Sequence, residues 1–230
     1  MYKRQERTNA KGDPAFPGRF QSNGEPFRIH TLERELELVD TLRENGARPI
    51  GIYPEIKDPQ WHREEGVDIT RLVLATLARF GYQEHHDPVY LQCFDEQEVR
   101  RIRHELGAKL KLVQLIGEDS WTEEPTDFAA MQTAAGLEKL ANTVDGVGPW
   151  LQQLYGFGED GSITDQELVA RAHEQGLVVH PYTFRIDALP RGFNDFDALL
   201  VFMVDELAID GLFTDFPDAA VRYLQRRHSA

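Results

Sequence analysis

The sequence predicts an α/β protein with parallel strands, in the form of an incomplete TIM (β/α)8 barrel that has about six of its eight strand–helix units. After residue 50, short apolar strands alternate strictly with helices, which is typical of parallel sheets covered on both faces. Several of these strands end in polar residues at alternating positions. Polar groups that converge at strand ends favour a barrel over an open doubly wound sheet, because barrel sites lie at the C-terminal face.

The chain begins with a stretch rich in glycine and proline, residues 6–28, which has no apolar period and is predicted to be a loop. A helix over 31–45 follows, with Thr31 as its N-cap and Gly46 at its end. One helix before six strand–helix units is what remains of an eight-unit barrel without its first strand, first helix and second strand. On this count the helix at 31–45 is the second barrel helix.

Six strands are predicted after that helix, over residues 50–56, 89–94, 110–116, 144–148, 177–183 and 211–214. The helices between them are expected over residues 65–80, from Asp95, over 127–142, from Thr164, over 195–207 and from Pro217. Asp95 with Glu98, and Thr164 with Glu167, have the spacing of a capping box.

The end of the first predicted strand has the most informative pattern. Side chains alternate along a strand, so Tyr53, Glu55 and Lys57 share one face. Pro54 has no N–H to donate, which predicts an edge strand or a bulge. A carboxylate and an ammonium at one strand end suit a site that binds both a cation and an anion. The alternative is a solvated salt bridge, which is common and weak at exposed positions.

Composition excludes several classes of function. The 230 residues have a formal net charge of −14, which argues against nucleic acid or an anionic membrane as the main partner. No apolar run is long enough for a membrane span. The single cysteine, Cys93, excludes an internal disulfide and is predicted to be a small buried residue.

The sequence contains neither His-Glu-x-x-His nor Gly-x-Ser-x-Gly. No Gly-x-Gly-x-x-Gly follows a predicted strand, so dinucleotide binding has no support. His85 and His86 precede Pro88 and are predicted to be solvated. His180 lies in an apolar strand, and its position is equally consistent with a core histidine and a pocket residue. Gln114 is a buried amide that needs hydrogen-bond partners, and a structural role and a ligand-binding role are equally consistent with it. Asp215 ends a strand and is more simply the cap of the last helix.

Four ordered segments resemble the glycerophosphodiester phosphodiesterase family, most closely its bacterial periplasmic type. They are Tyr53-Pro54-Glu55-Ile56-Lys57, Leu91-Gln92-Cys93-Phe94-Asp95, Val179-His180-Pro181-Tyr182-Thr183 and Gly211-Leu212-Phe213-Thr214-Asp215-Phe216-Pro217-Asp218. Each segment alone is a weak signal, whereas the ordered set is a strong one. The resemblance extends over about residues 14–227.

The resemblance implies a TIM barrel that uses a divalent cation, usually Ca²⁺, to hydrolyse glycerophosphodiesters to glycerol 3-phosphate and an alcohol. It implies that Glu55 is a metal ligand and that Lys57 lies beside the substrate phosphate. Gln92 and Phe94 match the wall of the site, and His180 and Tyr182 match positions that line the pocket. A periplasmic location is implied in the same way.

The sequence departs from the family pattern in the segments that supply catalytic histidines and further metal carboxylates. It contains no His-Arg-Gly, and residues 1–28 contain no histidine. Met1-Tyr2-Lys3-Arg4-Gln5 resembles the translation of a transposase-based sequencing adapter. We therefore expect residues 1–5 to be non-native and residues 6–230 to be a partial barrel domain, in which no catalytic residue is assigned.

The sequence thus predicts a metal-dependent phosphodiesterase in an intact parent protein, acting on a small-molecule glycerophosphodiester, with negligible activity in these 230 residues alone. One alternative is a non-catalytic phosphate-binding or surface protein on a degenerate barrel. A weaker alternative is another barrel phosphohydrolase related to phospholipase D-like toxins.

Overall fold

The computed structural model describes residues 11, 13, 29–46, 50–121 and 126–229. The chain forms two compact units, residues 1–50 and 51–230. The predicted non-native residues 1–5 and nearly all of the predicted loop 6–28 lie outside the described residues.

The first unit contains helix α1, Leu32–Glu44. The hydroxyl of Thr31 accepts a hydrogen bond from the backbone N–H of Arg34 at 3.3 Å, as expected of an N-cap. Gly46 follows the helix at a φ of 77°, a left-handed conformation that glycine adopts without strain. The predicted helix and both of its ends are confirmed.

The second unit is built on a parallel sheet in the order β1-β2-β3-β4-β7. A separate antiparallel hairpin joins β5 to β6. The strands are β1 Glu55–Ile56, β2 Tyr90–Cys93, β3 Lys111–Ile116, β4 Gly146–Pro149, β5 Tyr155–Phe157, β6 Ile163–Asp165 and β7 Val178–Val179.

A sixth parallel segment, residues 210–215, lies beside β7. The backbone N–H of Phe213 donates to the carbonyl of Pro181 at 3.0 Å, and Phe184 forms a parallel bridge with Thr214. The six predicted strand positions are therefore confirmed in their predicted order. The sheet does not close in the described part of the chain, since β1 lies at one end and residues 210–215 at the other.

Helices separate the strands. They are α2 Pro59–Glu64, α3 Ile69–Arg79, α4 Glu96–Arg100, α5 Phe128–Met131, α6 Ala134–Ala141, α7 Leu168–Glu174, α8 Phe196–Leu200 and α9 Pro217–Ser229. Helices α4 and α8 continue as π-helical segments over Arg101–Glu105 and Val201–Glu206. Among the described residues, no helix has the length and apolar character that a membrane crossing requires.

Two predicted helices differ from the structure. The helix predicted over 65–80 is α3, and α2 precedes it as a helix that was not predicted. The helix predicted over 127–142 is divided into α5 and α6. Gly66 ends the turn after α2 at a φ of 80°, and the Asp68 carboxylate then caps α3 by accepting from the N–H of Arg71 at 3.1 Å. Thr133 likewise caps α6 by accepting from the N–H of Gly136 at 3.1 Å. Internal caps restart a helix in a new direction, which sequence periodicity alone does not show.

The predicted capping box at Thr164 is wrong. Thr164 lies within β6 and pairs with Gly156 of β5. Helix α7 begins at Leu168, after Glu167 at a φ of 58°. The β-branched pair Ile163 and Thr164 favours a strand, and the glycine-rich turn before it allows the hairpin to form.

The core of the second unit lies between the sheet and its helices and includes Val147, Phe184 and Leu199, each with 0% of its surface exposed. Gly146 allows β4 and β7 to pack closely. A Cβ added there would lie 2.5 Å from Val178 Cγ2 and 2.7 Å from the Val178 carbonyl oxygen. Cys93 is 1% exposed, and burial raises the pKa of its thiol to about 12. The predicted structural role of this cysteine is confirmed.

Candidate active site

A cleft of about 360 Å³ opens at the C-terminal ends of the strands. Its walls come from five of the six parallel strand positions, all except β4, which is the arrangement expected of a barrel site. The lining residues are Glu55, Lys57, Gln92, Phe94, Leu115, Tyr182, Thr183, Phe213, Thr214 and Asp215. Five of the six residues predicted for the site are therefore brought together, and His180 is the exception.

Glu55 and Lys57 form an ion pair at the end of β1. Lys57 Nζ lies 2.7 Å from Glu55 Oε1, and the side chains are 71% and 21% exposed, respectively. Asp58 then adopts a φ of 45°, and Pro59 begins α2. The salt bridge that the sequence left as the alternative is present, but it lies in the cleft, where the ammonium can turn towards an anion.

Gln92 lies beside this pair, because its Cα is in register with that of Glu55 across β1 and β2. Its side chain lines the cleft although the residue is only 6% exposed. Its Oε1 atom has no hydrogen-bond partner among the described residues. A buried amide oxygen without a partner is costly. Because this oxygen is shielded from the cleft, the side chain would have to turn before it could contact a ligand.

Phe94 and Tyr182 form an aromatic wall, with ring centroids 5.8 Å apart. The Tyr182 hydroxyl donates to the carbonyl of Ile116 at 2.9 Å, which fixes the ring. Burial, together with the carboxylates of Glu55 and Glu118, raises the pKa of Tyr182 well above its usual range. Tyr182 is therefore neutral at pH 7 and contributes shape and apolar surface.

His180 lies two residues before Tyr182, one layer below the cleft. Its Nδ1 is 2.9 Å from the hydroxyl of Tyr53, and its ring packs edge-on against Tyr53 and Tyr90. Burial lowers the pKa of His180, while the charge of Asp210 opposes this effect. The buried position resembles the core histidine that the sequence left open, and a substrate-binding role for His180 stays a prediction.

We expect His180→Asn to reduce the pH dependence of stability. The unfolded chain takes up a proton as the pH falls below about 6.5, whereas the buried ring resists protonation. The native protein therefore loses stability from pH 6.5 downwards, and the variant should lose about 1 kcal/mol less between pH 7.5 and 5.5. Urea denaturation of both proteins at these two pH values measures the difference. Parallel losses in the two proteins would contradict the prediction.

Asp215 and Tyr53 have roles that the sequence did not predict. Asp215 lines the cleft, and its carboxylate lies 2.6 Å from Nε of Arg185. Its position at a strand end was the available signal, although the sequence favoured a helix cap. Tyr53 shares a strand face with Glu55 and Lys57, but its contacts with His180 and Phe213 arise only from the tertiary fold.

The described residues do not complete a Ca²⁺ site. Calcium takes about six to eight oxygen ligands, several of them from carboxylates. Two carboxylates line the cleft, Glu55 and Asp215, and each is in an ion pair. No group of three or more Asp, Glu, His or Cys side chains that could hold a metal occurs in the described part of the chain. Glu55 and the Gln92 oxygen supply at most part of such a set.

Comparisons with known proteins identify the family. Residues 6–219 match the model of the glycerophosphoryl diester phosphodiesterase family. A glycerophosphodiester phosphodiesterase of Haemophilus influenzae is 36% identical over 96% of this chain and 65% of its own length. One of Treponema pallidum is 32% identical over 92% of this chain and 64% of its own length. The chain thus spans slightly less than two thirds of these curated relatives.

The fold agrees as well. A crystal structure of a putative glycerophosphoryl diester phosphodiesterase from Silicibacter pomeroyi superposes with a TM-score of 0.59 at 18% identity. The superposition covers 85% of this chain and 56% of the Silicibacter pomeroyi chain. The incomplete parallel barrel, the ordered strand-end residues and the match over residues 6–219 lead to one conclusion: the chain belongs to the glycerophosphoryl diester phosphodiesterase family.

Proposed function

We propose that the protein hydrolyses glycerophosphodiesters to glycerol 3-phosphate and an alcohol, and that the cleft of this chain binds the phosphodiester. The observation that carries the proposal is the placement of Lys57 and Glu55 together at the C-terminal end of β1, in a cleft walled by Gln92, Phe94 and Tyr182. Family membership supports the same chemistry.

Four residues of the cleft have a proposed part in binding. The Lys57 ammonium is the one basic group that lines the cleft among the described residues, so it binds a non-bridging phosphate oxygen. Phe94 and Tyr182 exclude water on the opposite wall and strengthen that contact. Gln92 turns its amide towards the ligand, so that the buried Oε1 gains a partner.

A divalent cation, Ca²⁺ by the resemblance, is the proposed cofactor, and Glu55 is its proposed ligand in this chain. The described residues do not complete its coordination, so no catalytic step is assigned to the cation. The resemblance alone is the basis for a periplasmic location of the protein.

These 230 residues alone are expected to bind the substrate but hydrolyse it negligibly. The reason is chemical: the sequence has no His-Arg-Gly, and the described cleft has neither a metal site nor a histidine in its lining. Incubation with glycerophosphocholine and Ca²⁺, followed by ³¹P NMR, measures both properties. We expect the phosphodiester resonance to shift or broaden and to lose no area.

The controls separate the outcomes. Release of glycerol 3-phosphate that requires Ca²⁺ and stops with EDTA would contradict the expected inactivity and support the enzyme. A spectrum unchanged by the protein would contradict the proposed binding. Shifted resonances without hydrolysis would also agree with a non-catalytic phosphate-binding protein.

A further inference from the structure

A small cavity lies between β3 and the helices α4 and α6, on the side of the sheet away from the cleft. Its volume is about 10 Å³. Four buried residues line it, namely Val99, Gln114, Leu140 and Thr143. Charged side chains complete its lining, among them Glu96, which pairs with Lys139 at 2.7 Å. None of the described residues lines both this cavity and the cleft, so the two are separate.

Gln114 reaches the cavity from β3 and has a fixed orientation. The next residue, Leu115, lines the cleft, so alternation along the strand places Gln114 on the side that faces the helices. The Nε2 atom of Gln114 donates to the carbonyls of Phe94 at 2.8 Å and Leu115 at 2.9 Å. A reversed amide would turn its oxygen towards these two carbonyl oxygens, which repel it. The Oε1 atom is therefore directed away from them, towards the cavity.

The Oε1 atom of Gln114 has no hydrogen-bond partner among the described residues, although Gln114 is 0% exposed. Leaving a buried amide oxygen unpaired is costly, so such atoms bind a protein donor or an ordered water in most structures. Thr143 lines the same cavity, and its hydroxyl lies 3.1 Å from Nε2 of His104. Because a hydroxyl has one donor and two acceptor positions, Thr143 can bind a further group in the cavity.

The size and the charges of the cavity select its ligand. A volume of about 10 Å³ is enough for one water molecule and too small for an organic ligand. An anion would meet the Gln114 oxygen, which only accepts hydrogen bonds. A metal cation would meet the Arg100 guanidinium and a single carboxylate, Glu96, which already pairs with Lys139. Water can donate to an amide oxygen and bond to a hydroxyl at the same time.

We propose that this cavity binds one long-lived water molecule, which donates to Gln114 Oε1 and bonds to the Thr143 hydroxyl. The water satisfies the oxygen of the amide, while the nitrogen holds the backbone of Phe94 and Leu115, two residues of the cleft. Gln114, for which the sequence left two roles open, thus supports the cleft from behind the sheet with water as its ligand. The inference does not depend on the proposed function.

Water-selective NMR of the 230-residue chain, with ¹³C-labelled methyl groups, tests the proposal without a substrate. We expect magnetisation transfer from the water resonance to the methyl groups of Val99 and Leu140, with NOE and ROE of opposite sign, as a bound water requires. Leu137 is the internal control, because it lies on α6, is 0% exposed and does not line the cavity. Transfer that is absent at Val99 and Leu140, or equal at Leu137, would overturn the proposal.

Gln114→Met removes the oxygen and keeps a side chain of similar length. We expect it to abolish the transfer to Val99 and Leu140, although the Thr143 hydroxyl, which also exchanges with solvent, stays in place. Gln132→Met is the matched control, since the Gln132 amide donates to the Phe128 carbonyl at 3.2 Å, outside the cavity. This control should keep the full transfer. Transfer that persists in Gln114→Met would show that Gln114 does not hold the water.

The carbonyl carbons of Phe94 and Leu115 test the support of the cleft. Both carbonyls lose their amide donor in Gln114→Met, so their ¹³C resonances should move upfield, and Gln132→Met should leave them in place. Unchanged resonances in Gln114→Met would show that Gln114 does not hold the backbone of the cleft. If Gln114→Met fails to fold, the transfer to Val99 and Leu140 in the unmodified chain still decides whether the cavity binds water.

Discussion

Replacement of Lys57 by alanine is expected to weaken glycerol 3-phosphate binding by about ten- to a hundredfold, as the loss of one charge-assisted contact predicts. Two effects act together. The variant loses the ammonium that contacts the phosphate, and it leaves the Glu55 carboxylate in the cleft without the cation that lies 2.7 Å away. The remaining negative charge then repels the dianion. Isothermal titration calorimetry with and without Ca²⁺ measures the change.

Lys109→Ala is the matched control for this variant. Lys109 is also in an ion pair on the surface, with Glu84 at 3.1 Å, and its side chain is 67% exposed, close to the 71% of Lys57. Both variants change the net charge by the same amount, so a long-range effect of charge would weaken binding equally. Equal losses would show that Lys57 has no direct role. No loss in either variant would remove Lys57 from the site.

Replacement of Glu98 by glutamine is expected to lower the free energy of unfolding by about 3 kcal/mol. The Glu98 side chain is 0% exposed, and its two oxygens pair with Arg63 and Arg101. Arg101 also pairs with Asp68, so α2, α3 and α4 share one network of charges. A neutral amide at position 98 removes the anion that pairs with Arg63 and leaves Arg101 with Asp68 alone. Leaving partly buried guanidinium groups without this anion costs more free energy than the ion pairs themselves contribute.

Glu96→Gln provides the comparison, because Glu96 lies on the same helix and pairs with Lys139 at 2.7 Å. That lysine is 61% exposed, so the pair is solvated and its loss should cost less than about 1 kcal/mol. Urea denaturation followed by circular dichroism gives both values. Equal, small decreases in the free energy of unfolding of the two variants would mean that burial does not make the Glu98 network more important for stability than an exposed ion pair.

The parts of the fold that follow from local chemistry could be predicted from the sequence. Thr31 and Asp95 cap helices as expected, since a short polar side chain before an apolar period satisfies free N–H groups directly. The faces of the strand ends could also be predicted, because side chains alternate along a strand and this alternation fixes which residues share a face. Glu55, Lys57, Gln92, Phe94 and Tyr182 accordingly meet in one cleft.

Features that depend on tertiary neighbours could not be predicted. Thr164 has the spacing of an N-cap, but pairing with Gly156 decides its conformation. The Asp215–Arg185 pair and the Tyr53–His180 contact join residues 30 and 127 positions apart. Trp121 and Trp150 have no shared pattern in the sequence, and they meet only because β3 and β4 are neighbours.

Pro54 affects how the site-bearing end of β1 is held against β2. In a parallel ladder, alternate residues bond to the same neighbour. The N–H of Ile52 donates to the Pro88 carbonyl, and the Pro54 carbonyl accepts from the N–H of Gln92. Pro54 therefore faces β2 and removes one bond from that ladder, between Tyr53 and Glu55. The ladder beside Glu55 and Lys57 is therefore one hydrogen bond short, while the ring of Pro54 restricts the backbone φ at the same point. The bonds on either side and the fixed φ together hold the strand end that presents the ion pair to the cleft.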